Sequence, residues 1–161
     1  MIKGLHHNAY RCKDSEETRK FYEDFLRLPL ASALEIGTTA TGRGAKVLHT
    51  FFQMDDGSFL AFFEAPEEPF EFKEQRDFDL HIALEVEIDK LHEMFERGKA
   101  EGRDVRGISD HGFIHSIYFR DPNGYVIELA AKVPGDTRDP EDEKQRAKEI
   151  LENWQKTKPE A

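Results

Sequence analysis

The chain carries two copies of one pattern, and that repetition limits the possible folds more than any other feature. His7-Asn-Ala9-Tyr-Arg-Cys lies over His81-Ile-Ala83-Leu-Glu-Val, and LHTFFQMDDGSFLAFFE (residues 48–64) resembles IHSIYFRDPNGYVIEL (114–129) once one residue is gapped. Both later stretches read as strand, turn and strand, with Asp-Gly or Asn-Gly at the bend. A helical pattern follows each first strand. After Asp14, with Glu17 placed for a capping box, Thr18, Phe21, Tyr22 and Phe25 share one face. After Asp89, Leu91, Met94 and Phe95 form a stripe that Gly102 is placed to stop. In HIALEVEI, Ile82, Leu84, Val86 and Ile88 alternate with His81, Ala83, Glu85 and Glu87. Each half has room for one more strand, near residues 30–37 and 103–108. The expected fold is therefore α+β. Two βαβββ modules, about 1–66 and 77–133, form an incomplete eight-stranded barrel-like sheet with helices outside.

At 161 residues the chain suits one compact core, here spanning 1–133. Residues 134–161 are densely charged, yet Asp139-Pro140 is a good helix start and Ala147, Ile150, Leu151 and Trp154 follow at helical spacing. An extra C-terminal helix is expected, its stripe lying on its own domain or on a partner subunit. A formal charge of −10 argues against nucleic acid. No apolar run is long enough for a bilayer, the start does not read as a secretory signal, and a cytoplasmic location is the default expectation. Cys12 is the only cysteine, which excludes an intrachain disulfide and a cysteine-based zinc site.

The repeat gathers chemistry at one place. If the first strands of both modules lie side by side, His7 and His81 face each other. Glu128 follows Gly124 by four residues, and the position four after Gly57 is Ala61. Two imidazoles and a carboxylate make a facial triad that leaves metal positions open.

With these residues, positions 5–131 resemble the vicinal oxygen chelate superfamily, which includes glyoxalases, fosfomycin-resistance proteins, bleomycin-binding proteins and extradiol dioxygenases. The resemblance implies that His7, His81 and Glu128 bind a divalent metal: Fe(II) first, with Mn(II) or Zn(II) accepting the same ligands. The stretch His111-GFIHS-Ile117-Tyr118-FR-Asp121-Pro-Asn-Gly-YVI-Glu128 is most similar to the extradiol motif, with Ser109 departing from it. By that resemblance, His111 and Tyr118 hydrogen-bond the substrate, the reaction is extradiol ring cleavage of a catechol-type aromatic molecule, and the protein is a homodimer. Such enzymes usually carry a further acid–base histidine where this chain has Ser58 or Gly57, with His49 nearby. The alternatives are a fosfomycin-type transferase or glyoxalase-like lyase on the same metal site, and a non-enzymatic drug- or ligand-sequestering protein.

Other residues have plainer readings. His6 and His92 read as packing or solvated residues, and His115 as a hydrogen-bonded core histidine. Arg11 and Glu85 occupy equivalent positions and are expected to pair. Phe59, Phe62 and Phe63 are expected to border the cup.

Overall fold

The computed structural model describes residues 2–38, 42 and 44–159. The first module runs β1 (His7–Arg11), α1 (Ser15–Arg19), β2 (Leu30–Thr38), β3 (Gly44–Gln53) and β4 (Phe59–Glu64), with α1 continuing into a π-helical turn over Lys20–Phe25. The second runs β5 (His81–Glu85), α2 (Ile88–Ala100), β6 (Val105–Asp110), β7 (Ile114–Arg120) and β8 (Val126–Lys132), followed by α3 (Pro140–Thr157). Each module is βαβββ, as the repeat requires. The eight strands divide into two four-stranded sheets of identical order, β1-β4-β3-β2 and β5-β8-β7-β6. In both, the first strand runs parallel to the last and the other pairings are antiparallel. The first strands do not pair: β1 is an edge beside β4, and β5 an edge beside β8.

Local chemistry sets the helix ends. The Asp14 carboxylate accepts the Glu17 amide at 2.8 Å, satisfying one of the free donors of α1. The second helix begins earlier than its sequence pattern, at Ile88 behind Glu87, so Ile88 leaves the strand alternation. It ends before Gly102, whose φ of +68° stops the turn. Asp139 caps α3 through the Glu141 amide at 2.8 Å, with Pro140 in the first turn.

One face of each sheet builds the core. Phe52, Leu60 and Phe62 from the first sheet and Ile117, Phe119, Ile127 and Leu129 from the second join a single buried cluster with Phe21, Tyr22, Phe25, Leu91 and Met94 from the helices. The rings of the π turn bridge the two sheets, since Tyr22 packs on Phe62 of the first at 4.8 Å and Phe25 meets Phe119 of the second edge-on at 5.2 Å. Gly98 lets α2 lie close on β7, because a Cβ there would sit 2.6 Å from the Phe119 ring.

The DPNG turn fastens the second module to the first. Tyr22 donates to the Asp121 carboxylate at 3.0 Å, the Lys13 amide to the Asn123 side chain at 2.8 Å, and the Tyr125 hydroxyl to the Arg11 carbonyl at 2.8 Å. Burial raises the Asp121 carboxyl above its ordinary range, against the pull of bonds from Asn123, Tyr125 and Tyr22. Burial, aided by the nearby Asp121 charge, pushes Tyr125 up to about 12 and Tyr22 well above the usual tyrosine value.

Candidate metal centre

Strand alternation decides which side chains face away from the core. On the second sheet the register aligns Ala83 with Glu128 and Glu128 with Tyr118, and Tyr118 with Arg106, so Glu128, Tyr118 and Arg106 share that outer face with His81. On the first, Ala9 aligns with Ala61 and Ala61 with Phe51, so Ala61 is the structural counterpart of Glu128. The outer face of the first sheet therefore carries His7, Phe59, Phe63, His49 and Phe51.

His81 and Glu128 come together. His81 Nε2 lies 3.3 Å from Glu128 Oε2, with the Glu128 side chain 9% exposed and that of His81 43%. Their neighbours fix both groups. The Ser116 hydroxyl donates to Glu128 Oε1 at 2.5 Å, leaving the other oxygen for His81. His81 Nδ1 is 2.6 Å from the Asp77 carbonyl, which only accepts, so Nδ1 carries the proton. In the neutral ring, Nε2 then points a lone pair at a carboxylate oxygen. That lone pair and the carboxylate oxygen can share one cation, a proton or a metal ion, and the donor pair of imidazole and carboxylate suits a divalent metal.

His7 does not join this pair within one chain. Among the described residues no three His, Cys, Asp or Glu side chains gather as a metal group. His7 instead contacts His6 Nδ1 at 2.7 Å and packs against Phe51 and His49, with ring centroids 5.7 and 6.2 Å away. Its sheet and that of His81 are separate, which removes the side-by-side first strands expected from the repeat. His111 and Tyr118 do meet, with Nε2 and hydroxyl 3.3 Å apart, and burial together with the Glu128 charge raises Tyr118 above its ordinary value. Ser58 is buried and bonded to Asp56 at 2.5 Å. His49 is buried, stacked on Phe63 at 3.7 Å, with Nδ1 2.9 Å from the Phe62 carbonyl.

His6 is exposed, in keeping with its reading as a surface residue, and also touches His7 at 2.7 Å. Several plainer expectations change. Phe62 faces the core, while Phe59 and Phe63 border the outer face. Arg11 and Glu85 do not pair: Arg11 donates to the Ala65 and Glu68 carbonyls, and Glu85 meets Lys132 at 2.7 Å. His115 is half-buried with Nδ1 unpartnered. Ser116 and Asp77 escaped the sequence reading. Ser116 was findable, because it shares strand parity with Tyr118, whereas a backbone acceptor in a linker leaves no signature in side-chain types.

The family described as "Glyoxalase/Bleomycin resistance protein/Dioxygenase superfamily" matches residues 4–129. The chain belongs to that superfamily. It is 26% identical over 135 residues to "Metallothiol transferase FosB" of Shouchella clausii, covering 80% of each protein. The crystal structure of the fosfomycin resistance protein FosX from Listeria monocytogenes is 25% identical, with a TM-score of 0.61 over 83% of this chain and 97% of that one. One variant of that protein was crystallised with Mn(II) and 1S,2S-dihydroxypropylphosphonic acid. A glyoxylase/bleomycin resistance protein/dioxygenase domain from Frankia sp. EAN1pec shares the fold at TM-score 0.65 and 16% identity, over 84% of this chain and 96% of its own. The Listeria relative bears a fosfomycin-resistance name and the Shouchella relative a metallothiol-transferase name, where the hairpin motif points to ring cleavage. No helix among the described residues is long and apolar enough to cross a membrane.

Proposed function

We propose that the chain is a divalent-metal enzyme of the fosfomycin-resistance kind, opening the epoxide of a small phosphonate: a thiol or water attacks one ring carbon, that C–O bond breaks, and the released oxygen takes up the nucleophile's proton. The observation that carries this reading is the imidazole–carboxylate pair, His81 Nε2 and Glu128 Oε2, 3.3 Å apart. The names of the relatives support it, one a metallothiol transferase and another complexed with Mn(II) and a diol phosphonate. Mn(II) is accordingly the first metal to test, ahead of Fe(II) and Zn(II). The metal would supply Lewis-acid polarisation of a substrate oxygen. The chain's own residues do the rest. Ser116 holds Glu128 and the Asp77 carbonyl holds His81. Tyr118, opposite Glu128, presents a hydroxyl to a substrate oxygen with His111 behind it. Arg106, with its guanidinium 5.3 Å from the centre of the Tyr118 ring, offers a cation to the phosphonate.

The third ligand is His7 of a second copy. His7, Ala9, His81 and Ala83 are all exposed on the outer faces, and Leu34, at the opposite edge of the first sheet, is 45% exposed. Laying the first sheet of one copy over the second sheet of another covers both faces and makes two identical sites about a twofold axis.

The test is phosphorus NMR of fosfomycin incubated with metal-free protein, then with added Mn(II), in the presence of L-cysteine, of glutathione or of neither. A metal-dependent product signal is expected. Its absence under all three conditions, with Fe(II)-loaded protein opening a catechol to a yellow product instead, would return the chain to the ring-cleaving reading that the His111–Tyr118 contact favours.

A further inference from the structure

We propose that the segment joining the modules, residues 73–80, is a positioning element of the metal centre, with Asp77 as its point of contact. The inference deepens the metal reading above and rests on it. A plain tether would touch the modules only where it leaves one and enters the other. This one places a single residue among three side chains of the site. The Asp77 carbonyl takes the His81 Nδ1 proton at 2.6 Å, and its carboxylate oxygens lie 2.9 and 3.0 Å from Arg106 Nη2. That same arginine covers the Tyr118 ring.

The segment is pinned on both sides of Asp77. Upstream, the Gln75 amide donates to the Gly124 carbonyl at 3.0 Å, and Arg120 Nη1 bridges the Gln75 and Gly124 carbonyls at 3.0 and 2.9 Å. The fit there is close, since a Cβ on Gly124 would stand 2.6 Å from the Lys73 carbonyl oxygen. Downstream, a turn closes through Asp79 and Leu80 amides on the Arg76 carbonyl at 2.9 and 3.1 Å, with an Arg76–Asp79 ion pair at 2.7 Å. His81 needs this support. It begins an edge strand and its side chain is 43% exposed. Its ring orientation and tautomer are therefore inherited from the linker, which turns Nε2 toward Glu128.

The test uses the full chain, metal-free, at a pH where imidazole is neutral. Long-range nitrogen–proton NMR correlations of the His81 ring, assigned by their loss in His81→Ala, report which nitrogen holds the proton. The parent is expected to show the Nδ1–H form alone. Asp77→Gly, which removes the carboxylate and frees the backbone, should mix in the Nε2–H form and weaken Mn(II) binding about tenfold. Asp77→Asn keeps an acceptor for Arg106 and should stay near the parent. Arg106→Ala should move the tautomer in the same direction as Asp77→Gly, by less. An unchanged tautomer and unchanged Mn(II) affinity in Asp77→Gly and Arg106→Ala overturn the proposal, as does a parent lacking the Nδ1–H form. A parent that shows this form but binds no Mn(II) sinks the metal reading, and the metal role of the segment with it. The tautomer comparison then separates that failure from failure of the contact itself.

Discussion

Glu128 and Ser116 show how narrow the margin is at the scale of one side chain. Glu128 has one oxygen committed to Ser116 and one to the His81 side. Glu128→Ala should abolish Mn(II) binding measured by calorimetry, since the imidazoles left behind carry no charge to balance the ion. Ser116→Ala keeps every proposed ligand but frees the carboxylate to rotate, and a loss of roughly tenfold in Mn(II) affinity is expected. Equal affinity in Ser116→Ala and the parent would show that the hydroxyl orients nothing. Tyr118→Phe should keep metal and slow turnover, because only a hydroxyl is deleted. At this scale the sequence was legible where the repeat or a motif named a position: Glu128 sits opposite Ala83 just as Ala61 sits opposite Ala9. It was not legible for His7, because an equal position in a repeat establishes equivalence between modules and says nothing of distance.

The elements differ in what holds them. The π-helical turn after α1 and the DPNG turn are tied by buried hydroxyl and carboxylate groups, so their pairing responds to pH. Tyr125 is raised to about 12 and Tyr22 is raised too, against an ordinary value of about 10. Between those values the folded chain keeps protons that the unfolded chain has lost. The stability they contribute is whole below about pH 10 and falls as pH rises toward 12. Urea melts should therefore show midpoints level from pH 8 to 9.5 and dropping steeply above 10, as expected for these tyrosine shifts. Tyr125→Phe should cost about 1 kcal/mol at pH 8 while flattening that alkaline fall. A Tyr125→Phe protein with the parent's alkaline slope would assign the fall to other groups. The third helix stands outside this arrangement: Ile150, Leu151 and Trp154 are each more than half exposed and none of its residues is buried. Its own domain therefore does not cover the stripe. Removing residues 137–161 should lower the helical circular dichroism signal and leave the urea midpoint unchanged. A lower midpoint would reveal a contact between α3 and the core. Capping and periodicity made α1 and α3 legible in sequence. The start of α2 was misplaced because Ile88 fits strand alternation and helical stripe equally well.

In the whole molecule the question becomes which faces remain open once the core is closed. The repeat correctly implied two βαβββ modules; the single eight-stranded barrel-like sheet expected from it is instead two four-stranded sheets, since a repeat does not say which edges meet. Here the helices and the DPNG turn join the modules, and the metal-bearing faces look outward. If each centre is completed by a second copy, His7→Ala and Glu128→Ala proteins should each be inactive alone and recover on mixing. Statistical exchange of subunits makes half the dimers mixed, each with one intact centre of two, so about a quarter of parental activity is expected. No recovery, with exchange verified by mass spectrometry, would place all ligands of a centre in one chain. The asymmetry at the two hairpin turns carries a further meaning. Among the described residues, Asp121 and Asn123 of the second turn are buried as a fastener while Asp55 to Gly57 of the first are exposed, and the second module supplies Glu128 where the first has Ala61. A duplicated ancestor with matching halves could surrender the ligand and the clasp in one half without penalty, provided the other half kept both. What the first module has given up is the carboxylate and the clasp, while in the proposed centre it still contributes His7, so the two halves are unequal partners in one site.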